Sequence, residues 1–366
     1  MDWTELIRPE LAGMKPYAPG LRASEVRERT GRSDVSKLSS NEYPLGPVPR
    51  AVEAMAAVLP HLNRYPDGAS TALSARLCEH WGAQACNLTV TNGSNELLRL
   101  IAQAVLRAGD EVVYAWPSFV VYPMVTRMFG AVAVPVPLTA DARHDLPAMA
   151  SACTDRTRLL FLCNPNNPTG TIFSRDEFEA FLAAVPPHVL VVLDEAYFEF
   201  VEDETYPDGM TYFDGVRPLV VARTFSKIYS LAGTRIGYGF LPEPLKIAVD
   251  AIREPFNVNT VAQIGAYYSL EDQPEIQRRK HENREQKTYL YSCFDRLGIA
   301  YVPSHTNFVW IQTDRPAEVF EQLLREGVIA RTFGDTPALR LGVGIEKDTQ
   351  RTVEAFEKIV ERLGSM

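Results

Sequence analysis

Lys227 closes the run Thr224-Phe225-Ser226-Lys227, and Leu231-Ala232-Gly233-Thr234-Arg235-Ile236-Gly237 follows close behind. A lone lysine at the end of an apolar run, with small residues and an arginine eight positions on, suits an aldehyde cofactor that carries a phosphate. The lysine amine would bond to the aldehyde carbon, and Ser226 and Arg235 would hold the phosphate. Upstream stands Leu193-Asp194-Glu195-Ala196-Tyr197, at the end of the most apolar run in the chain. An acid buried there is costly without a partner. A protonated ring nitrogen is such a partner, and a carboxylate beside it keeps the ring electron-withdrawing. Tyr197 could reach the ring's phenolic oxygen. So could the amide of Asn167, in the turn Asn164-Pro165-Asn166-Asn167-Pro168-Thr169-Gly170.

Two further segments could complete such a site. Asn92-Gly93-Ser94-Asn95-Glu96 precedes the apolar helical stretch Leu97–Leu106, and the free amides and dipole of a helix start attract phosphate. Phe119, in Trp116-Pro117-Ser118-Phe119-Val120-Val121-Tyr122, could stack on the ring. Each feature alone has an ordinary structural explanation: a helix cap, a plain turn, a core aromatic, a surface lysine. Their order changes the balance, because each supplies a different need of one cofactor, pyridoxal phosphate.

The elements that must position these residues are legible as alternating patterns. Short β-rich runs occur at Leu88–Thr91, Glu111–Tyr114, Ala131–Val134, Leu159–Leu162, Val189–Leu193 and Leu219–Ala222, with helical patterns between them. Near-continuous apolar strands imply a sheet covered on both faces, hence a mostly parallel α/β fold. Such sheets bind ligands at the carboxyl ends of their strands, where the richest motifs fall. After about residue 260 a long charged helical stretch, Ala262 to Leu297, is interrupted near Pro274. Strands at Asn307–Ile311 and Leu339–Val343 and helices at Pro316–Glu326 and Thr349–Leu363 follow, as a smaller α+β unit. The expected division is an N-terminal arm with part of the small domain at 1–50, a large cofactor-binding domain at 51–255 and a small C-terminal domain at 256–366. The arm, rich in proline, glycine and polar residues, is expected to hold little helix.

Bulk composition excludes several classes. The chain has 366 residues, more than a single core usually serves. Its net charge of −9 opposes nonspecific nucleic-acid binding. No apolar run approaches the ~18 residues of a membrane span, and the start lacks a secretory pattern, so cytoplasmic residence is the expectation. Five scattered cysteines without CxxC spacing argue for reduced thiols, and six dispersed histidines give no metal-ligand spacing.

The chain closely resembles the fold-type I aminotransferases, and within them the histidinol-phosphate aminotransferases. Besides the motifs above, the likeness is carried by Lys15-Pro16-Tyr17, Leu38 to Pro47, Arg64-Tyr65-Pro66-Asp67-Gly68, Pro255 to Asn259, Thr306-Asn307-Phe308 and Gly327 to Arg331. The resemblance implies that Lys227 binds the cofactor and shuttles the proton, with Asp194 on the ring nitrogen. It puts Asn167 and Tyr197 at the ring oxygen and Phe119 on the ring face. Gly93, Ser94, Asn95, Thr224, Ser226 and Arg235 would surround the phosphate. Tyr65 would reach the cofactor phosphate of a partner subunit, making the homodimer part of the site, and Tyr17, Asn41, Arg331 and Arg340 would bind substrate. Tyr43, Asn95, Ile228 and Thr234 depart from the subfamily pattern, and Tyr43 and Ile228 are expected to reshape the substrate end of the pocket.

The implied reaction is transamination between histidinol phosphate and 2-oxoglutarate. Rival readings on the same scaffold are an aromatic amino-acid aminotransferase and a phospho-amino-acid decarboxylase. A regulator that binds the cofactor without catalysis would be expected to carry a basic DNA-binding extension, which this sequence lacks.

Overall fold

The computed structural model describes residues 5–334 and 336–364. Strand β1 (Ser36–Lys37) lies apart from seven strands that form the main sheet: β2 (Leu88–Thr91), β3 (Glu111–Trp116), β4 (Val132–Pro137), β5 (Thr157–Cys163), β6 (Leu190–Asp194), β7 (Leu219–Thr224) and β8 (Gly237–Phe240). Their order is β2-β8-β7-β6-β5-β3-β4, and β8 alone runs against its two neighbours. The central strands β5, β6 and β7 are buried along almost their whole length, as strands covered by helices on both faces must be. All six expected runs are strands.

Strand β8 was not among the expected runs, because Gly-Tyr-Gly-Phe lacks a continuous apolar signature. Its glycines answer to packing. A Cβ on Gly237 would lie 2.5 Å from the backbone nitrogen of Ser94, and one on Gly239 would lie 2.4 Å from Leu97 Cδ2. Their bare backbone lets the helix Ser94–Val105 settle directly on the sheet.

The smaller unit holds β9 (Tyr301–Val302), β10 (Phe308–Gln312), β11 (Val328–Ile329), β12 (Arg331–Thr332) and β13 (Ala338–Gly342). Four of these form an antiparallel sheet in the order β12-β13-β10-β9, while β11 pairs in parallel with β1. Helices Gln273–Leu297, Pro316–Arg325 and Glu346–Leu363 cover it, burying Phe294, Leu323 and Phe356 among Val309, Leu339 and Leu341. The long helical stretch breaks at Asp272, between Thr260–Glu271 and Gln273–Leu297, two residues before Pro274, which sits in the first turn of the second helix. The first of these helices places Ala262, Ala266 and Leu270 in the same core as Leu73 of the helix Thr71–Trp81, Phe225 just after β7 and Tyr238 of β8.

The arm contains more helix than expected, at Ala23–Thr30. Its sequence shows no apolar period because Val26 is its one buried residue, packed on Leu324 and Ile329. The Glu25 carboxylate accepts from the Arg22 backbone N–H at 2.7 Å, and Gly31 closes the helix with φ 71°. No helix among the described residues is long and apolar enough to cross a membrane.

Candidate active site

A cavity of about 470 Å³ opens at the carboxyl ends of β3, β5, β6 and β7, roofed by residues of the small sheet and of the arm. Lys227 enters from the loop after β7, half-buried, with Nζ 5.3 Å from the centroid of the Tyr197 ring. Burial, reinforced by the charge of Arg340, lowers its amine to about 8. Asp194 ends β6 on the cavity floor and is 1% exposed. Its Oδ2 accepts from the Tyr122 hydroxyl at 3.0 Å and its Oδ1 from the Ala196 N–H at 3.2 Å. Burial pushes the carboxyl up to about 6, with these donors and Lys227 pulling the other way. No lysine or arginine among the described residues pairs with it, so it is a carboxylate in need of a cation, as a protonated ring nitrogen would provide.

Glu195, its neighbour in sequence, faces the opposite side. It pairs with Arg223 through Nη2 at 2.7 Å and Nε at 2.9 Å, both side chains fully buried, and also accepts from Tyr206 and from the Gly209 N–H. The acidic pair of the sequence thus divides between a structural ion pair and the cavity.

One end of the cavity is built for an anion. The 12-residue helix Ser94–Val105 points its start at the cavity, and Ser94 and Asn95 line it. Gly93 precedes them with φ 82°, and a Cβ there would come within 2.5 Å of Arg235 Nη2. The cradle therefore closes around a bare backbone. Ser226 Oγ accepts from Thr224 Oγ1 at 2.9 Å, which leaves its own O–H to donate. Arg235, left-handed at φ 62°, also lines the cavity. These groups fit a phosphate.

At the other end Arg340 of β13 is 7% exposed, with no carboxylate in ion-pair range among the described residues. Nη1 donates to Asn167 Oδ1 at 2.5 Å, Nη2 to the Ser39 carbonyl at 2.7 Å, and Nε is buried without a partner. The Asn167 amide nitrogen therefore stays free to donate into the cavity. Asn41, left-handed at φ 56°, donates through Nδ2 to Tyr197 Oη at 2.8 Å, leaving the Tyr197 hydroxyl hydrogen free as well. Asn307 Nδ2 holds the Asn41 carbonyl at 3.0 Å. Phe119 lines a side wall with Val120, Val121 and Met124.

The structure thus brings Tyr17, Asn41, Ser94, Asn95, Phe119, Asn167, Asp194, Tyr197, Thr224, Ser226, Lys227, Arg235 and Arg340 to one cavity, with Gly93 directly behind it. Arg331 is not on the wall; its guanidinium lies 5.7 Å from the Tyr17 ring centroid and donates to the Ala18 carbonyl at 2.8 Å. Tyr65 stands outside, 82% exposed, with its ring stacked on Phe256 at 4.7 Å.

Two expectations need correction. Tyr43 does not shape the cavity: it is buried against the helix Gln273–Leu297, and its hydroxyl donates to Glu282 at 2.9 Å. Ile228 turns away as well, fully buried in the large-sheet core, because the residue after a wall-facing lysine points inward. Sequence reasoning missed Tyr122, Val121 and Met124. For Val121 and Met124 the available signal was their i, i+3 spacing within the helix Val121–Met128, which starts at the wall.

The sequence profile of the family described as "Aminotransferase class I and II" matches residues 33–356. The chain is 43% identical to the histidinol-phosphate aminotransferase of Moorella thermoacetica, over 96% of this chain and 92% of that one. It is 41% identical to the aromatic amino acid aminotransferase of Cutibacterium acnes, over 89% and 92% of the two chains. The crystal structure of the histidinol-phosphate aminotransferase from Sinorhizobium meliloti, in complex with pyridoxal-5'-phosphate, superposes with a TM-score of 0.89 at 26% identity, covering 98% of both chains. The chain belongs to the class I and II aminotransferases.

Proposed function

We propose that this aminotransferase moves an amino group from histidinol phosphate to 2-oxoglutarate, giving imidazole acetol phosphate and glutamate, and so serves histidine biosynthesis. One observation carries the reading beyond its relatives' names. Lys227 and Asp194 face a single cavity beneath Arg340, a buried guanidinium with no carboxylate in ion-pair range among the described residues. Pyridoxal phosphate suits that cavity, since Gly93 and Ser226 would cradle its phosphate, Asp194 would take its ring nitrogen, and Asn167 and Tyr197 would donate to its ring oxygen. When bound, it supplies an aldehyde that captures the substrate amine and a ring that spreads the charge left when the α-carbon loses its proton.

The chain's own groups do the rest. Lys227 Nζ, half-neutral near pH 8, takes the proton from the substrate's α-carbon and would deliver it to the carbon that the cofactor brings as its aldehyde, not back to the α-carbon. Asp194 holds positive charge on the ring nitrogen through its carboxylate. Arg340, with Arg331 and Tyr17 beyond it, takes the substrate's anionic end. A forked guanidinium serves a phosphate ester and a dicarboxylate alike.

Two copies are proposed to complete the site in the cytoplasm. Tyr65, exposed with Phe256, Leu59 and Leu62, offers an aromatic and apolar face to a partner and would reach the partner's phosphate end. The five cysteines are free thiols, in keeping with a reducing compartment. A second reading, aromatic amino-acid transamination, is favoured by the apolar wall of Val120, Val121 and Met124 and by the relative from Cutibacterium acnes.

The test is an amino-donor screen on purified protein with pyridoxal phosphate and 2-oxoglutarate. Histidinol phosphate should be the preferred donor, and Lys227→Ala should lower turnover at least ~10³-fold. Substantial transamination by that variant would sink the mechanism, whereas faster turnover of phenylalanine would replace the substrate.

A further inference from the structure

Tyr122 stands in the first turn of the helix Val121–Met128, with 0% of its surface exposed. Its ring stacks on Phe161 at 4.5 Å with the planes 9° apart, and it meets Phe119 edge-on at 5.7 Å and 87°. Two rings therefore fix where the hydroxyl points, which is at Asp194 Oδ2, 3.0 Å away. The thiol of Cys163 lies beside it but spends its own hydrogen on the Pro165 carbonyl at 3.4 Å, and a thiol sulfur is a weak acceptor. The hydroxyl hydrogen goes to the carboxylate. Apart from the Ala196 N–H, this is the one hydrogen bond Asp194 receives among the described residues.

Building on the cofactor reading above, we infer that Tyr122 is a positioning residue that holds Asp194 as an oriented carboxylate and so keeps the proton on the cofactor's ring nitrogen. A buried carboxylate and a pyridine nitrogen compete for one proton. Each hydrogen bond to the charged carboxylate weakens its hold on that proton, by about tenfold or more. Remove the hydroxyl, and the proton shifts from the ring toward Asp194. The ring then withdraws electrons less well, although every group that touches substrate stays in place. The same tyrosine braces Phe119, so one side chain ties the wall over the ring to the charge at its edge.

The experiment loads the wild-type protein and Tyr122→Phe with pyridoxal phosphate labelled with ¹⁵N at the ring nitrogen, and reads its chemical shift. The wild-type protein should give the signal of a protonated pyridine. The variant should move toward neutral pyridine, with kcat down about tenfold and KM for the donor nearly unchanged. Matching shifts and kcat in the two proteins would overturn the inference, as would a neutral ring in the wild type. If neither protein retained the labelled cofactor, the cofactor reading would fail and this inference with it. Should Tyr122→Phe not fold, Tyr122→Met fills the same apolar slot and is read in the same way.

Discussion

Arg340 of the small sheet donates to Asn167 Oδ1, in the loop that follows β5 of the large sheet, at 2.5 Å. One hydrogen bond thus joins the proposed anion-binding cation to the proposed ring-oxygen donor. Burial lowers the Arg340 guanidinium to about 10, as expected of a cation taken out of water. Arg340→Ala should lower kcat/KM for both the amino donor and 2-oxoglutarate by about 10²-fold. Arg340→Lys should recover little, because a point charge cannot replace the fork. Steady-state kinetics on both substrates decides it, and an effect on one substrate alone would contradict the shared role.

The Lys227 amine, lowered to about 8, sets how fast the cofactor-free protein can bond an aldehyde. Only the neutral amine attacks, and its fraction rises about tenfold per pH unit below that value and then levels off. Stopped-flow absorbance on adding pyridoxal phosphate should therefore show a rate that climbs from pH 6 to 8 and flattens by 9. A climb continuing past pH 10 would mean an ordinary, solvated lysine.

Tyr43 anchors the segment after Asn41 to the helix Gln273–Leu297 rather than facing substrate. Tyr43→Phe should cost about 1 kcal/mol in stability through the lost bond to Glu282. KM for every donor should stay unchanged. Urea unfolding and donor kinetics read the two effects separately, and a shift in donor preference would restore Tyr43 to the pocket.

Arg223 lies between the rings of Trp81 and Phe198, 3.9 and 3.7 Å from their centroids, and pairs with Glu195 and Asp208. Arg223→Met would leave the Glu195 carboxylate buried without its counter-charge, at a cost of about 3–5 kcal/mol. The unfolding midpoint should fall accordingly. Glu195→Gln with Arg223→Met should recover part of the loss, since the fully buried partner is then neutral and only the partly exposed Asp208 is left without its cation.

The large sheet was legible because buried parallel strands leave apolar runs that need no partner to be recognised, as at Leu159–Leu162 and Leu219–Ala222. The residues of the candidate site could be picked out for a related reason: Lys227, Asp194 and Asn167 each come where, or shortly after, such a run stops. Strand β8 and the helix Ala23–Thr30 were not, because the first is specified by what its glycines allow to come close and the second by a single apolar contact and a cap. Tyr122 stayed hidden for a third reason. Its inferred role depends on the meeting of Phe161 within β5, Phe119 after β3 and Asp194 at the end of β6, and no spacing along the chain encodes that meeting.

The missing side chain at position 237 acts at a distance. Because β8 presents bare backbone to Ser94, the amide dipoles gathered at that helix start sit deep enough to serve the cavity. A single methyl group there, as in Gly237→Ala, would lift the helix off the sheet. Its signature would be weakened cofactor retention in a protein whose every polar contact residue is intact, measurable as faster loss of pyridoxal phosphate on dialysis. Affinity at this site would then be governed by a distance of closest approach between two backbones, a quantity that no inventory of polar side chains contains.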